Sequence, residues 1–398
     1  MPNQIVNFDR LKQINLSAVY RLIDQEGPIS RVQLAQKSQL APASITKITR
    51  QLLQAGTIKE VSAQQSTGGR RAISLTTSGD FQFISARIGR GDLKVAIYNL
   101  AGQQLELQTY PLIASNQSEF LERLCTLLQQ FHTQYQQQKH PILALAVTLP
   151  GLIESGSGIA RYIPYYRLTD CPIGQTLEQA FQLPVYVGND TRATTLAEYY
   201  FGQSQDSTDS VFISIHQGTS AGILVNGDIF IYPQRDLGEI GHIQLDPLGE
   251  PCQCGNIGCL ETICSNPAIL NFAKTHAAQH TTLFQVNDSV QQLYRLAANG
   301  DVFCELVVKR AALALGQVIA IVVNLFNPQK ILLAGEIIQA GDIFWKPIQQ
   351  CLEHQTLPTF RNQTQIQAAY FQAESAIGGH ALIKRAMLNG ELLLKLIK

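Results

Sequence analysis

The sequence predicts a mixed α/β protein in three parts: a short helical module closed by a strand pair, then two α/β halves of similar plan. Three observations carry this. Over the first eighty residues the apolar spacing is helical three times and then alternates. After Gly79, buried-strand patterns separate long amphipathic helices, and strand, strand, helix, strand recurs in that order. A chain of 398 residues is also too long for one ordinary core.

The composition, 45% hydrophobic and 15% charged, supplies ample material to bury and excludes a disordered chain. Lys plus Arg equal Asp plus Glu at 30 each, yet the charge is uneven. From Gly27 to Leu75 seven basic residues (Arg31, Lys37, Lys47, Arg50, Lys59, Arg70, Arg71) face a single acid, Glu60. A basic segment beside a mildly acidic remainder points to a polyanionic partner for that segment alone. Met1 to Leu22 carries Asp9, Arg10, Lys12 and Arg21 and has no apolar core, so no signal peptide is read and a cytoplasmic location is expected. The longest apolar run, Ala311 to Phe326, is broken by Gln317 and Asn324 and falls short of the ~20 residues of a membrane span. It reads as a buried helix, and no membrane insertion is expected.

Asp9 to Gln25 has helical apolar positions (Leu11, Ile14, Val19, Leu22, Ile23), ended by Gly27-Pro28. Ser30 starts a second helix with Gln33 as its box partner, and Pro42 suits the first turn of a third. In that helix Ile45, Ile48 and Leu52 form one stripe, with Ser44, Lys47, Thr49, Arg50 and Gln51 read mostly away from it. Ile58 to Val61 and Ala72 to Leu75 alternate around the tip Ser66-Thr67-Gly68-Gly69-Arg70-Arg71. Three helices and a hairpin describe a winged helix-turn-helix. Its third helix would enter a major groove of double-stranded DNA, and the cationic tip would reach a minor groove. The expected contacts are Arg31, Ser44, Thr46, Lys47, Thr49, Arg50, Gly68, Gly69, Arg70 and Arg71. Three-helix units also serve as protein contacts; the surplus of positive charge favours DNA.

In the body, Phe83 to Ile88 and Leu93 to Leu100 read as strands joined by Gly89-Arg90-Gly91, followed by the helix Phe120 to Tyr135 and the strand Ile142 to Thr148. The order recurs with strands Ser210 to Ile215 and Gly222 to Val225 around a Gly-Thr-Ser loop, the helix Ala311 to Phe326 and the strand Lys330 to Ala334. Two such halves imply a cleft between domains. The expected domains are 1–80; 81–190 with 381–398; and 191–380.

The sharpest local signal is Gly238-Glu239-Ile240-Gly241-His242 followed by Cys252, Cys254 and Cys259. One imidazole and three closely spaced thiolates are a closed tetrahedral donor set, which predicts one structural zinc ion per chain held by His242, Cys252, Cys254 and Cys259. The other reading of this cluster is free thiols in a turn.

Taken together these residues resemble the ROK family of repressors and sugar kinases over essentially the whole chain. The cysteine cluster after Glu239-Ile240-Gly241-His242 resembles the family's zinc signature, and Asn189-Asp190 with Leu196-Ala197-Glu198 resembles its kinase active-site segment. Leu40 to Ile48, Ser66 to Arg71 and Lys384 to Gly390 look most like the family's amino-sugar regulators. The resemblance implies a two-domain, actin-like fold in which Asn189, Asp190, Glu239 and Glu261, with Gly151, bind a sugar. The family's kinases carry Asp-x-Gly-Gly-Thr on the first strand; here Arg87-Ile88-Gly89-Arg90-Gly91 replaces it, and Glu336 follows Ala334-Gly335. An arginine repels the Mg²⁺ that bridges nucleotide phosphates, so kinase activity is not expected. Arg87 or Arg90, with His216 or Arg192, would instead hold the phosphate of a sugar phosphate, unless these arginines form internal ion pairs. The reading is a repressor, a homodimer or dimer of dimers, released from its operator by N-acetylglucosamine 6-phosphate. Control by a protein partner, or an active sugar kinase, are the alternatives.

Overall fold

The structure, a computed structural model, describes residues 8–62, 73–135, 140–230 and 237–397. The chain divides into two compact units: Met1–Gly151, Ser157–Gly188 and Gly379–Lys398 form one, Leu152–Gly156 and Asn189–Gly378 the other.

The first unit opens with α1 (Phe8–Glu26), the two-residue β1 (Ile29–Ser30), α2 (Arg31–Ser38), α3 (Pro42–Gln54), β2 (Ile58–Ser62) and β3 (Ile73–Thr77). Ser30 caps α2 through a reciprocal box with Gln33, worth about 1 kcal/mol. The strands lie in the order β1-β3-β2; two residues are too few to show alternation, so β1 left no sequence signal. The wing-tip candidates Gly68, Gly69, Arg70 and Arg71 lie outside the described residues.

The chain continues with β4 (Gln82–Ile88), β5 (Asp92–Asn99), β6 (Gln104–Pro111), α4 (Gln117–Tyr135) and β7 (Ile142–Leu149). After β8 (Leu152–Glu154), which belongs to the second unit, come β9 (Ile159–Ile163), β10 (Leu168–Cys171), α5 (Ile173–Phe181) and β11 (Val185–Asn189). The main sheet has the order β11-β7-β4-β5-β6, with β4 parallel to β7 and antiparallel to β5.

The second unit holds α6 (Asp190–Phe201), β12 (Ser210–Ile215), β13 (Thr219–Val225), β14 (Asp228–Ile229), α7 (Glu261–Cys264), α8 (Asn266–His276), α9 (Val290–Ala298) and α10 (Val302–Phe326). β15 (Lys330–Ala334), α11 (Asp342–Gln355), α12 (Pro358–Arg361) and β16 (Gln365–Ala368) complete it. Its sheet runs β14-β13-β12-β15-β16, the last three parallel. β13 starts at Thr219, so Thr219, Ser220 and Ala221 are strand residues rather than the loop read from the sequence. α10 is 25 residues long, and 67% of its most apolar window is buried, which makes it the core helix of this unit. Its first nine residues escaped the sequence reading because Glu305, Lys309 and Arg310 interrupt the apolar run.

α13 (Ile377–Leu388) and α14 (Glu391–Leu396) end the chain and return to the first unit. Leu16, Val19, Tyr20 and Ile23 of α1 share one core with Ile45 and Leu52, with Phe81, Phe83 and Ala144, and with Ile383, Met387 and Leu393. The boundary expected at residue 80 is therefore not a break in packing. α1 also satisfies the last carbonyls of α13. Ser17 Oγ and Arg21 Nε donate to Leu388 O at 2.6 and 2.8 Å, and Gln13 Nε2 donates to Asn389 O at 3.0 Å. These are orphan acceptors at a helix end that would otherwise need water.

Candidate functional site

In the second unit the start of β13 is the organising element. Thr219 N donates to Glu261 Oε2 at 3.1 Å. Ser220 Oγ lies 2.7 Å from Thr191 Oγ1, and Thr191 N in turn donates to Asp190 Oδ1 at 2.9 Å. Ala221 N donates to Gly238 O at 2.8 Å, fixing the residue before Glu239. Three successive strand residues thus anchor Glu261, Asp190 and the Glu239 turn, three candidates far apart in sequence. The close approach demands glycine at Gly238, where φ is +91° and a Cβ would lie 1.9 Å from Ala221 O. Asn189 caps α6, its Oδ1 accepting from Arg192 N at 3.1 Å. Asp190, the first residue of α6, is buried.

Glu198, singled out beside this segment, has another task. It is fully buried and accepts from the backbone of Gln203 at 2.8 Å and Phe371 at 2.6 Å. Burial raises its pKa, and the backbone donors oppose that rise. It fastens the end of α6 to the segment before α13.

His242 and the three cysteines converge. Their four ligand atoms lie within 4.8 Å of one another, with Cys252 Sγ 3.6 Å from His242 Nδ1 and Cys254 Sγ 3.8 Å from Cys259 Sγ. Gly258, with φ +64° and a Cβ position 1.6 Å from Asp246 O, permits the tight return. This donor set is able to hold a metal ion. It also sets Glu261, which lies two residues beyond Cys259.

The four phosphate candidates divide between the units. In the first, Arg87 is buried at the end of β4 and Arg90 is exposed on the following turn. That turn uses its own amides. Gly89 N donates to Asp92 O at 2.8 Å and Gly91 N to Tyr166 Oη at 3.3 Å, while Tyr166 Oη donates to Leu112 O at 2.7 Å. A phosphate there would meet side chains rather than a backbone cradle. Gly151 in this unit has φ +117°, and a side chain on it would strike Tyr162 O at 2.2 Å. In the second unit Arg192 Nη2 donates to Ile153 O at 3.3 Å. His216 does not suit the phosphate role: Nδ1 is 2.9 Å from Glu336 Oε2 and Nε2 is 2.6 Å from Glu374 Oε1. With both ring nitrogens on carboxylates, its surroundings repel an anion.

Among the N-terminal candidates, Thr46, Lys47 and Arg50 are exposed on α3 and Ser44 is half-buried. Thr49 is fully buried and accepts from Arg31 Nε at 3.1 Å, which corrects its reading as a base contact. The signal was available, since position 49 lies one turn from both Ile45 and Leu52. Arg31 Nη2 also bonds Glu60 Oε1 at 2.8 Å, so this arginine is half-spent on internal bonds.

These features define an α/β protein with a cluster of hydrogen-bonded polar side chains beside four residues able to hold a metal ion. The chain belongs to the ROK family, whose profile matches residues 83–386. It is 45% identical to the N-acetylglucosamine repressor of Escherichia coli O157:H7 over 99% of this chain and 98% of that protein. The DNA-binding transcriptional repressor Mlc of E. coli K12 is 35% identical over 100% of this chain and 99% of its own length. A solved ROK family transcriptional regulator, a homologue of the E. coli Mlc protein, superposes with a TM-score of 0.92 at 41% identity, covering 97% of this chain and 99% of that one. The two five-stranded sheets are those of the family's mixed α/β fold.

Proposed function

We propose that this chain is a sugar-responsive transcriptional repressor of amino-sugar genes, released from its operator by N-acetylglucosamine 6-phosphate. The observation that carries the reading is the end-to-end likeness to repressors, first eighty residues included, in a chain that gathers Asp190, Glu239 and Glu261 around β13. In this reading α1 to α3 with β1 to β3 are a winged helix-turn-helix. Thr46, Lys47 and Arg50 on α3 face the major groove, and Arg31 holds α2 against α3 and β2. Two copies would bind the two halves of a palindromic operator, as a homodimer or dimer of dimers.

Asn189, Asp190, Glu239 and Glu261 are the proposed acceptors and donors for sugar hydroxyls, with Arg87 and Arg90 supplying phosphate selectivity through charge-assisted bonds. The metal is proposed to be zinc. Tetrahedral zinc with thiolate bonds of ~2.3 Å has ligand–ligand edges of about 3.8 Å, and the 3.6 and 3.8 Å separations fit that donor cage. Four protein ligands leave no open position, so the ion's part is to brace the loop that carries Glu261.

No kinase activity is proposed, although Asp190 is the residue type a sugar kinase uses as base. Arg87 opposes Mg²⁺, and Glu336 just past β15, with Glu374 on the segment before α13, would repel the phosphates of a nucleotide at that edge. The test follows fluorescence anisotropy of an operator duplex selected from a random pool, at fixed salt, while N-acetylglucosamine 6-phosphate is titrated. Release by the phosphate and not by the free sugar is expected; binding indifferent to both would sink the effector assignment. ADP production dependent on sugar would sink the non-enzyme assignment.

A further inference from the structure

In open α/β sheets small ligands bind at the carboxyl ends of parallel strands. In the second unit that edge is filled by the protein's own side chains. His216 follows the last residue of β12, Glu336 lies just past β15, and Glu374 precedes α13 by three residues. Besides its bonds to both glutamates, His216 accepts at its backbone oxygen from Asn266 N at 2.7 Å. Asn266 Nδ2 donates to Glu336 Oε2 at 2.6 Å, Gln291 Nε2 donates to Glu336 Oε1 at 3.2 Å, and Tyr294 Oη donates to Asn266 Oδ1 at 2.7 Å. One imidazole therefore fastens together the ends of β12 and β15, the start of α8 and the segment leading into α13.

An imidazole donates from both nitrogens only when protonated. Burial pulls the His216 pKa down, but the bonds to Glu336 and Glu374 outweigh it and raise the value to about 9. Burial likewise pushes Glu336 up, and His216 and Asn266 override it to give about 2. The cluster near neutral pH is thus one cation between two carboxylates. The opposite side of the same turn meets the sugar site: Thr219 N holds Glu261, and a Cβ at Gly218 would stand 2.7 Å from Glu261 Oε2. Only two residues separate Thr219, which holds Glu261, from His216, which holds Glu374.

We propose that His216 is a positioning residue that ties the Glu261 turn to the segment entering α13, so that occupancy at Glu261 is transmitted to Glu374. The inference rests on Glu261 being a sugar ligand. Its physical basis is short range. A turn displaced by ligand moves the imidazole, and two charge-assisted bonds resist Glu336 and Glu374 moving apart from it.

The full chain tests this with His216→Gln, which keeps one hydrogen bond but cannot bridge two carboxylates as a cation, and with His216→Lys, which restores the cation. Operator affinity is read with and without N-acetylglucosamine 6-phosphate, and hydrogen exchange is read over 215–219 and 374–380. In the wild type the ligand weakens operator binding by about tenfold or more. In His216→Gln this factor falls to below about threefold, exchange quickens in both segments, and His216→Lys recovers most of the wild-type factor. The wild-type response also fades as pH rises through about 9, a step that His216→Gln lacks. Undiminished ligand response in His216→Gln, or faster exchange confined to one segment, overturns the proposal. A wild type deaf to the sugar phosphate would refute the effector reading instead, while the exchange arm still decides the role of His216. Glu374→Gln, on a partly exposed segment, gives the same reading should His216→Gln fail to fold.

Discussion

Lys384 Nζ of α13 lies 2.6 Å from Asp24 Oδ1 of α1, and neither side chain is more than 16% exposed. Desolvated ion pairs are poor net stabilisers, yet removing one partner strands a buried charge. Lys384→Met should therefore destabilise the protein by about 3–5 kcal/mol, seen as a lower urea midpoint, whereas Lys384→Met with Asp24→Leu should recover most of the loss. Equal loss in the single and double variants would show that the pair is not what holds these helices.

His380 is fully buried in the first unit, stacked on Tyr98 at 5.1 Å and against Phe83 at 5.4 Å. Burial lowers its pKa to about 3, with Lys384 adding to the effect. An unfolded histidine takes its proton near 6.5. The depressed folded value makes its contribution present above pH 6.5 and lost progressively as pH falls toward 3. Amides of β4 and β5 should exchange with a stability that drops between pH 7 and 5, and His380→Phe should flatten that drop.

Lys47→Ala and Arg50→Ala should weaken operator binding and lower the salt slope by about one for each phosphate contact removed. Thr49→Ala should behave differently. Losing the Arg31 bond costs about 1 kcal/mol of stability, while base preference, read by selection from a random pool, stays as in the wild type.

Cys254 is the exposed member of the metal donor set. Cys254→Ala should reduce bound zinc from about one per chain to near none by native mass spectrometry. Sugar-phosphate affinity should fall with it, because Cys259 and Glu261 share one loop. Unchanged affinity after metal loss would separate the two sites.

Arg90→Ala, at an exposed position, should lower affinity for N-acetylglucosamine 6-phosphate about tenfold by calorimetry and leave N-acetylglucosamine binding unaltered. Equal loss for both sugars would place Arg90 on the sugar rather than the phosphate.

What the sequence made legible follows how far apart the parts lie. The metal donors fall within eighteen residues, and glycines mark their turns, so spacing alone found them. The Ser30 cap of α2 and Pro42 in the first turn of α3 were legible because helix starts are local chemistry. The assembly of Asp190, Glu239 and Glu261 was not, since it depends on strand β13 presenting three successive residues to three separate segments. Family likeness proposed those residues; only strand pairing explains why they meet. The His216 cluster was misread for a related reason. A histidine after a strand looks available until Glu336 and Glu374, more than a hundred residues on, fold back to claim both its nitrogens.

The carbonyls of Leu388 and Asn389 are capped by Gln13, Ser17 and Arg21. Donors and acceptors lie between 367 and 376 residues apart in sequence. The core that α1 shares with α13 and α14 is likewise built from contacts distant in sequence, whose loop-closure cost slows their formation. The helical module is thus footed on a distant stretch of the sequence, so a change in α13 or α14 reaches α1 without touching it.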